Sequence, residues 1–332
     1  MEELFNNEKM EKTIKKAKRQ SLWKTVFLTT AVLLILGIVG SFLNENITLY
    51  FQSVIGAANT SLEEISGANE FVANKENFPG ILGGEEYYKT YKIIEGKVVY
   101  TGEKGYGYGP FRNEWLNRSG MQSELIVSNS GSEDDLSLQR YNYLGQREMV
   151  FFYPFVNYKN VRNDLAWLDE LRDDQVLEVA LSFDKGYGVE EAINKLPKDV
   201  TKTWLWVKDV EEDPDEVRNY LVDEKGNRTP LDYSVRSEHN VYGFPLITPN
   251  GDKVDMPGEQ FIIDISTGKK LRTSWQWEFN RLYDTIGGED GLSQNDLVIY
   301  GAVVTGSKET LASLLELDFI RASSIGVITD KY

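Results

Sequence analysis

The feature that most constrains this chain is Thr25–Leu43, TVFLTTAVLLILGIVGSFL, nineteen residues with no charge and no proline. Wound as a helix at about 1.5 Å per residue it spans roughly 28 Å, close to the ~30 Å hydrocarbon core of a bilayer. A buried helix of a soluble protein would keep a polar face, and Thr29, Thr30 and Ser41 do not make one. A cleaved signal peptide also starts basic and turns apolar, but its apolar part usually runs about 7–15 residues and ends in a small-x-small site. The segment is longer and no clean pair of that kind follows, so it reads as an uncleaved anchor in the lipid bilayer.

The flanks orient it. Lys9, Lys12, Lys15, Lys16, Lys18, Arg19 and Lys24 precede the apolar run, and Asn44, Glu45 and Asn46 follow it. The positive-inside tendency then puts the N-terminus in the cytoplasm and residues 44–332 outside the cell membrane, in a single pass. Of the net charge of −16, the part up to Leu43 holds seven Lys or Arg against four Asp or Glu, and the remainder 29 against 48. Such an acidic ectodomain repels nucleic acid and anionic lipid, so no nucleic-acid partner is expected. With no cysteine and one histidine, His239, disulfides, thiol nucleophiles and Cys/His zinc sites are excluded, and neither metal nor cofactor is expected.

The chain divides into a basic cytoplasmic tail (1–24), the membrane helix (25–43), a stalk (44–79), a β-rich extracytoplasmic region (80–160) and a C-terminal α+β domain (161–332). In the tail, Met10, Ile14 and Ala17 stand at helical spacing among cations, which predicts one amphipathic helix continuing into the span. Lys15, Lys16, Lys18 and Arg19 are the candidates for contacting a cytosolic or small membrane partner. The competing reading is a topology signal resting on anionic lipid, which composition alone favours. The stalk is rich in Asn, Ser, Gly and Glu and reads as a helix or two. Its sequons Asn46-Ile47-Thr48 and Asn59-Thr60-Ser61 matter only on a eukaryotic secretory route. Residues 87–158 carry β-branched and aromatic runs that predict antiparallel strands, with GEKGYGYGPF (Gly102–Phe111) as a turn, since its glycines do not fit a phosphate-binding spacing.

The last half contains a pattern that occurs twice. VLEVALSF (Val176–Phe183), VEEAINKL (Val189–Leu196) and TKTWLWVK (Thr201–Lys208) read as strand, helix, strand, and DLVIYGAVVTG, KETLASLLEL and FIRASSIGVI repeat the order. Two such β-α-β units predict a ferredoxin-like antiparallel sheet with helices on one face. Between them lie an acidic run at 209–216, a turn-rich stretch and a helical stretch over 258–283.

Candidates for chemistry are few. Ser182-Phe183-Asp184-Lys185 fits S-x-x-K, but neither S-D-N nor K-T-G accompanies it, and Ser182 ends a strand where a nucleophile would open a helix. The carboxylates Asp209, Glu211, Glu212, Asp213, Asp215 and Glu216 lack the spacing of a calcium loop and read as a solvated acidic loop; Asn250, Gly251, Asp252 and Asp255 read as a turn. His239, in a polar loop, reads as a surface or partly buried imidazole. Trp204 and Trp206 share one face of a strand, and Trp275 and Trp277 are positioned to meet them, either as core or as an aromatic ligand cleft. No catalytic residue is assigned, and the chain reads as a non-enzyme.

KAKRQSLWKTVFLTTAVLLILGIVGSFL resembles the basic and membrane-spanning segment of the sigma-factor regulator family of Gram-positive bacteria. VLEVALSFDKGYGVEEAINKL with TWLWVKD, then VYGFP and IYGAVVTGSKETLASLLELDFIRASSIGVI, resemble blocks of that family's extracytoplasmic C-terminal domain. The resemblance implies a membrane anti-sigma factor or co-regulator that helps hold an extracytoplasmic-function sigma factor inactive and responds to envelope stress. It also implies a cytoplasmic helical domain, in whose place this sequence has about 24 residues, and it carries no zinc-type ligand motif. The alternatives are an anchored envelope-binding module without a sigma-factor role and, with least support, an exported serine hydrolase.

Overall fold

The computed structural model describes residues 7–111, 125–128, 138–223, 225–287 and 291–332. Its longest element is α1 (Asn7–Ile65), 59 residues that run unbroken through the basic tail, the apolar stretch and 22 residues beyond it. At about 1.5 Å per residue α1 is roughly 88 Å long. Its apolar stretch is long and apolar enough to cross a membrane, and none of that stretch is buried against protein.

The far end of α1 runs through the segment expected to hold a helix or two and a stalk. Ile55, Ala58, Leu62 and Ile65 are buried, at helical spacing on one face, so this part of the helix belongs to the core of the domain it enters. Three strands, β1 (Phe71–Pro79), β2 (Gly84–Ile94) and β3 (Lys97–Tyr108), form an antiparallel sheet beside it. Ile55 packs with Tyr88, Tyr106 and Tyr108 of that sheet, and at the other end the Leu82 N–H donates to Asn44 Oδ1 at 2.6 Å. The expected turn at Gly102–Phe111 is mostly β3. Its glycines let strands approach: a Cβ on Gly105 would stand 2.7 Å from the Glu86 carbonyl oxygen.

Two short pairs follow, β4 (Leu125–Ser128) with β5 (Leu138–Tyr141), and β6 (Val150–Phe151), which pairs with a strand introduced below. The C-terminal half begins with a 3-10 turn (Asp164–Glu170) and continues through β7 (Gln175–Gly188), α2 (Val189–Lys195) and β8 (Thr201–Val207). The hairpin β9 (Arg218–Val222) and β10 (Arg228–Tyr233) precedes β11 (Arg236–Ser237), the partner of β6, and β12 (Gly243–Pro245). Helices α3 (Glu259–Gly268) and α4 (Gln276–Ile286) replace the single helical stretch expected over 258–283. The chain closes with β13 (Val298–Ser307), α5 (Lys308–Leu311), a 3-10 turn to Glu316 and β14 (Ile320–Asp330).

β7, β8, β12, β13 and β14 form one antiparallel sheet in the order β12-β8-β13-β7-β14. The helices cover one of its faces. Leu177, Val179 and Leu181 of β7 and Ala302 and Val304 of β13 meet Leu62 and Ile65 of α1, Phe261 and Ile265 of α3, and Phe279 and Leu282 of α4. The opposite face, with Ala180, Trp204, Trp206, Tyr300 and Val303, packs under Met149, Phe151 and Tyr153. The β-rich region therefore lies directly on the C-terminal sheet, and burial on both faces explains why β7 and β13 read as continuous apolar runs.

Candidate functional site

The tail cations are available. Lys15, Lys16, Lys18 and Arg19 are exposed on α1, and Lys15 pairs with Glu11 one turn away at 3.0 Å, an exposed contact worth a few tenths of a kcal/mol, about 0.3–0.5.

The other end of α1 leads into a buried polar junction. After Ile65 the chain reverses through Gly67 (φ +85°) and Asn69 (φ +58°), and the Ala68 N–H donates to the Glu238 carbonyl at 2.9 Å. Beside this turn Lys92 of β2, 1% exposed, places its ammonium 2.6 Å from Glu178 Oε1 and 2.7 Å from Glu238 Oε1. Glu178, wholly buried near the start of β7, also accepts from Asn69 Nδ2 and the Val327 N–H. Glu238 accepts from the Met149 N–H. Burial disfavours the Lys92 cation, but the two carboxylates outweigh it and push its pKa up. One cation does not neutralise two anions, and burial with the charge of Glu178 pushes Glu238 up despite Lys92.

A second layer surrounds the triad. Glu70 pairs with Lys104; burial pushes that carboxyl up, yet Lys104 and His239 hold it down at about 2. His239 is mostly enclosed, its Nε2 3.1 Å from Glu148 Oε1. Burial lowers its pKa, while the bond to Glu148 and the charges of Glu238 and Glu70 raise it further, leaving it above its ordinary value. The sole histidine is thus part of a charge network joining α1's exit, the small sheet and the main sheet, a role that its polar sequence context does not reveal. The triad left a trace in the sequence, a lysine and a glutamate each inside an apolar strand.

The aromatic cleft is corrected. Trp204 and Trp206 do share a face, but Trp275 belongs to the core on the other side of the sheet, and Trp277 is 56% exposed on α4. The strand period shows which residues point together and says nothing of which face a distant helix covers. Trp206 stacks among Phe151, Tyr153 and Tyr300 as core. Trp204 alone also reaches a recess, a cavity of about 230 Å³ between the end of α1 and the segment 244–261. A wider groove of about 810 Å³, bounded by α2, the sheet edge at Thr201 and Lys202, and residues 246–262, adjoins it.

The remaining candidates have structural occupations. Ser182 Oγ is buried and accepts the Phe152 N–H at 2.9 Å, while Lys185 lies over the Tyr187 ring. Asp209, expected in a solvated loop, is buried; it accepts from Tyr153 Oη at 2.9 Å, and burial pushes its pKa up to about 6. Asp213 caps the 3-10 turn Pro214–Val217. Thr248–Asp252 is a turn with Gly251 at φ +86°, and among the described residues no group of three or more His, Asp or Glu is placed to hold a metal ion.

Compared with known families, residues 168–327 match the family model described as "Sigma factor regulator C-terminal", a stretch that contains all five strands of the main sheet but for the last residues of β14. No curated protein and no solved structure matches the chain significantly.

Proposed function

The C-terminal half places this chain in the sigma factor regulator family, and from that premise we propose that it is a single-pass membrane regulator. Its tail, with Lys15, Lys16, Lys18 and Arg19, contacts a sigma factor or a small membrane partner in the cytoplasm, and the domain from Asn44 onward responds to the envelope outside. The observation that carries this reading is the continuity of α1: one helix bears the tail cations at its start and Leu62 and Ile65 in the core of the family domain at its end. A rearrangement around Leu62 displaces or rotates a rigid rod, so the two ends bias one two-state element, as coupling between sites requires. The basic flank before the apolar stretch supports the cytoplasmic placement of the tail. The strand order β14-β7-β13-β8, with β12 added at one edge, supports reading β7-α2-β8 and β13-α5-β14 as the split, ferredoxin-like pair of β-α-β units. The domain limits at 44, 80 and 161 are retained as functional divisions, although helix and sheet contacts cross them. The aromatic-cleft reading is retained for Trp204 alone.

The test is recovery of partners from detergent-solubilised membranes with the full chain and with a chain lacking residues 2–20, read beside a sigma-dependent reporter. The expected result is a sigma factor or small membrane protein recovered only with the intact tail, and a reporter that changes on its deletion. Equal recovery with both chains and an unmoved reporter would remove the sigma-linked role.

A further inference from the structure

The turn from β1 to β2 meets α1 at Asn44, the residue that follows the apolar stretch. Asn44 Oδ1 accepts from the Leu82 N–H at 2.6 Å, and its Nδ2 donates to the Gly80 carbonyl at 3.4 Å. Side chains on a helix tilt toward its N-terminus, here the side of the apolar stretch, so these two bonds hold the turn close to the level at which that stretch ends. The turn and its flanks, NFPGILGG (Asn77–Gly84), carry no charge, while Glu76 and Glu85 stand on either side. Ile81 is 86% exposed and Phe78 55%.

Single exposed apolar side chains are ordinary on a protein surface; what surrounds this pair is not. The Gly80 N–H donates to the Gly83 carbonyl, the Leu82 N–H to Asn44, and Pro79 has no N–H, so these backbone positions need no donor bond to water. Leu82 is held at φ +55°, a left-handed conformation costly for any residue but glycine, and at Gly83 the Tyr108 carbonyl leaves no room for a Cβ. Sheet and helix together impose a shape that presents an uncharged, apolar tip beside the span. A bilayer at that depth is already tethered to the tip by α1, so contact with it is intramolecular in effect.

We propose that the β1–β2 turn enters the boundary of the bilayer beside α1, with Ile81 and Phe78 against lipid where acyl chains meet headgroups. Helix and turn are then two anchors joined through Asn44, and they fix the tilt of the domain on the membrane. Such contact rests on the reading of residues 25–43 as a span, and it holds on whichever side of the membrane the domain lies.

The chain has no cysteine, so a nitroxide can be attached at one introduced thiol at a time in the full-length protein, reconstituted in phosphatidylcholine nanodiscs. The sites are Ile81→Cys and Phe78→Cys in the turn, Leu36→Cys within the apolar stretch, and Val98→Cys, 69% exposed at the opposite end of the β2–β3 hairpin from Gly84. Power saturation compares collisions with oxygen, which concentrates in hydrocarbon, and with a water-soluble nickel chelate. Labels at 36, 78 and 81 are expected to favour oxygen and the label at 98 to favour nickel, with thermal unfolding by tryptophan fluorescence confirming that each variant is folded. Nickel preference at 78 and 81 with oxygen preference at 36 would overturn the lipid contact and leave the span intact. Nickel preference at all four sites would remove the span and the contact together. Poor access to both reagents at 81 would mean that protein covers the turn, which also overturns the assignment.

Discussion

Lys92, Glu178 and Glu238 put three charges where water does not reach, and their worth lies in being complete. Removing the cation leaves two carboxylates facing each other in a medium of low dielectric, whereas removal of the whole cluster would leave none. Lys92→Met is therefore expected to lower unfolding free energy by about 3–5 kcal/mol in urea titrations followed by tryptophan fluorescence. A loss under about 1 kcal/mol would mean that the triad is not structural. Asp209 poses the opposite case. Its folded pKa, about 6, lies above its ordinary 3.8 because of burial. The folded state thus holds the proton more tightly, and stability falls as pH rises from about 4 to about 6, by on the order of 3 kcal/mol. Asp209→Asn removes this slope. The difference between wild-type and variant stability should change over that interval and stay flat from pH 7 to 8; a flat difference throughout would show that Asp209 ionises without cost.

At the level of elements, α1 shows both what a sequence discloses and what it hides. The apolar stretch is conspicuous because nineteen uncharged residues make a helical segment long and apolar enough to cross a membrane. The 22 residues after it also carry a helical period, Ile55, Ala58, Leu62 and Ile65, but Asn, Ser and Gly around them mimic a linker, and only the tertiary partners, Tyr106 on one side and Phe261 on the other, reveal the core face. The glycines of β3 misled for a related reason: they mark close strand approach as often as turns. The long strands of the main sheet were legible from β-branched runs, whereas the buried junction around Asn69 was not, since it arises where residues far apart in sequence converge. Two substitutions test the role of the helix. Leu62→Ala should cost about 2–5 kcal/mol through transfer and cavity terms. Ser53→Pro, at an exposed position, breaks the rod between membrane and core at a local cost of about 3 kcal/mol. With the domain still folded by tryptophan fluorescence, Ser53→Pro should leave the sigma-dependent reporter unresponsive to the chain's ectodomain; a normal response would show that the helix need not be continuous.

For the whole molecule, the division of charge across α1 makes a claim about orientation that the chain's own composition renders easy to test. The segment before the span is net basic and the remainder strongly acidic, and the cytoplasmic side retains Lys and Arg near the ends of a span while long acidic domains contribute little to the choice. The chain has no cysteine, so any single introduced thiol is the only one. Tyr332 is 94% exposed at the C-terminus, and Lys12 is exposed on the first turns of α1. A membrane-impermeant maleimide should label Tyr332→Cys in intact cells and reach Lys12→Cys only after the membrane is opened. The reverse pattern would put the family domain in the cytoplasm. Labelling of both sites in intact cells would mean that the apolar stretch does not span the membrane, and α1 would then couple two ends in a single compartment. Only the first outcome makes the continuous helix a path for information across a bilayer. In that geometry the helix meets the domain almost at once, with Asn44 accepting from the Leu82 N–H and Thr48 buried five residues after Leu43, so the rod stays stiff between lipid and core.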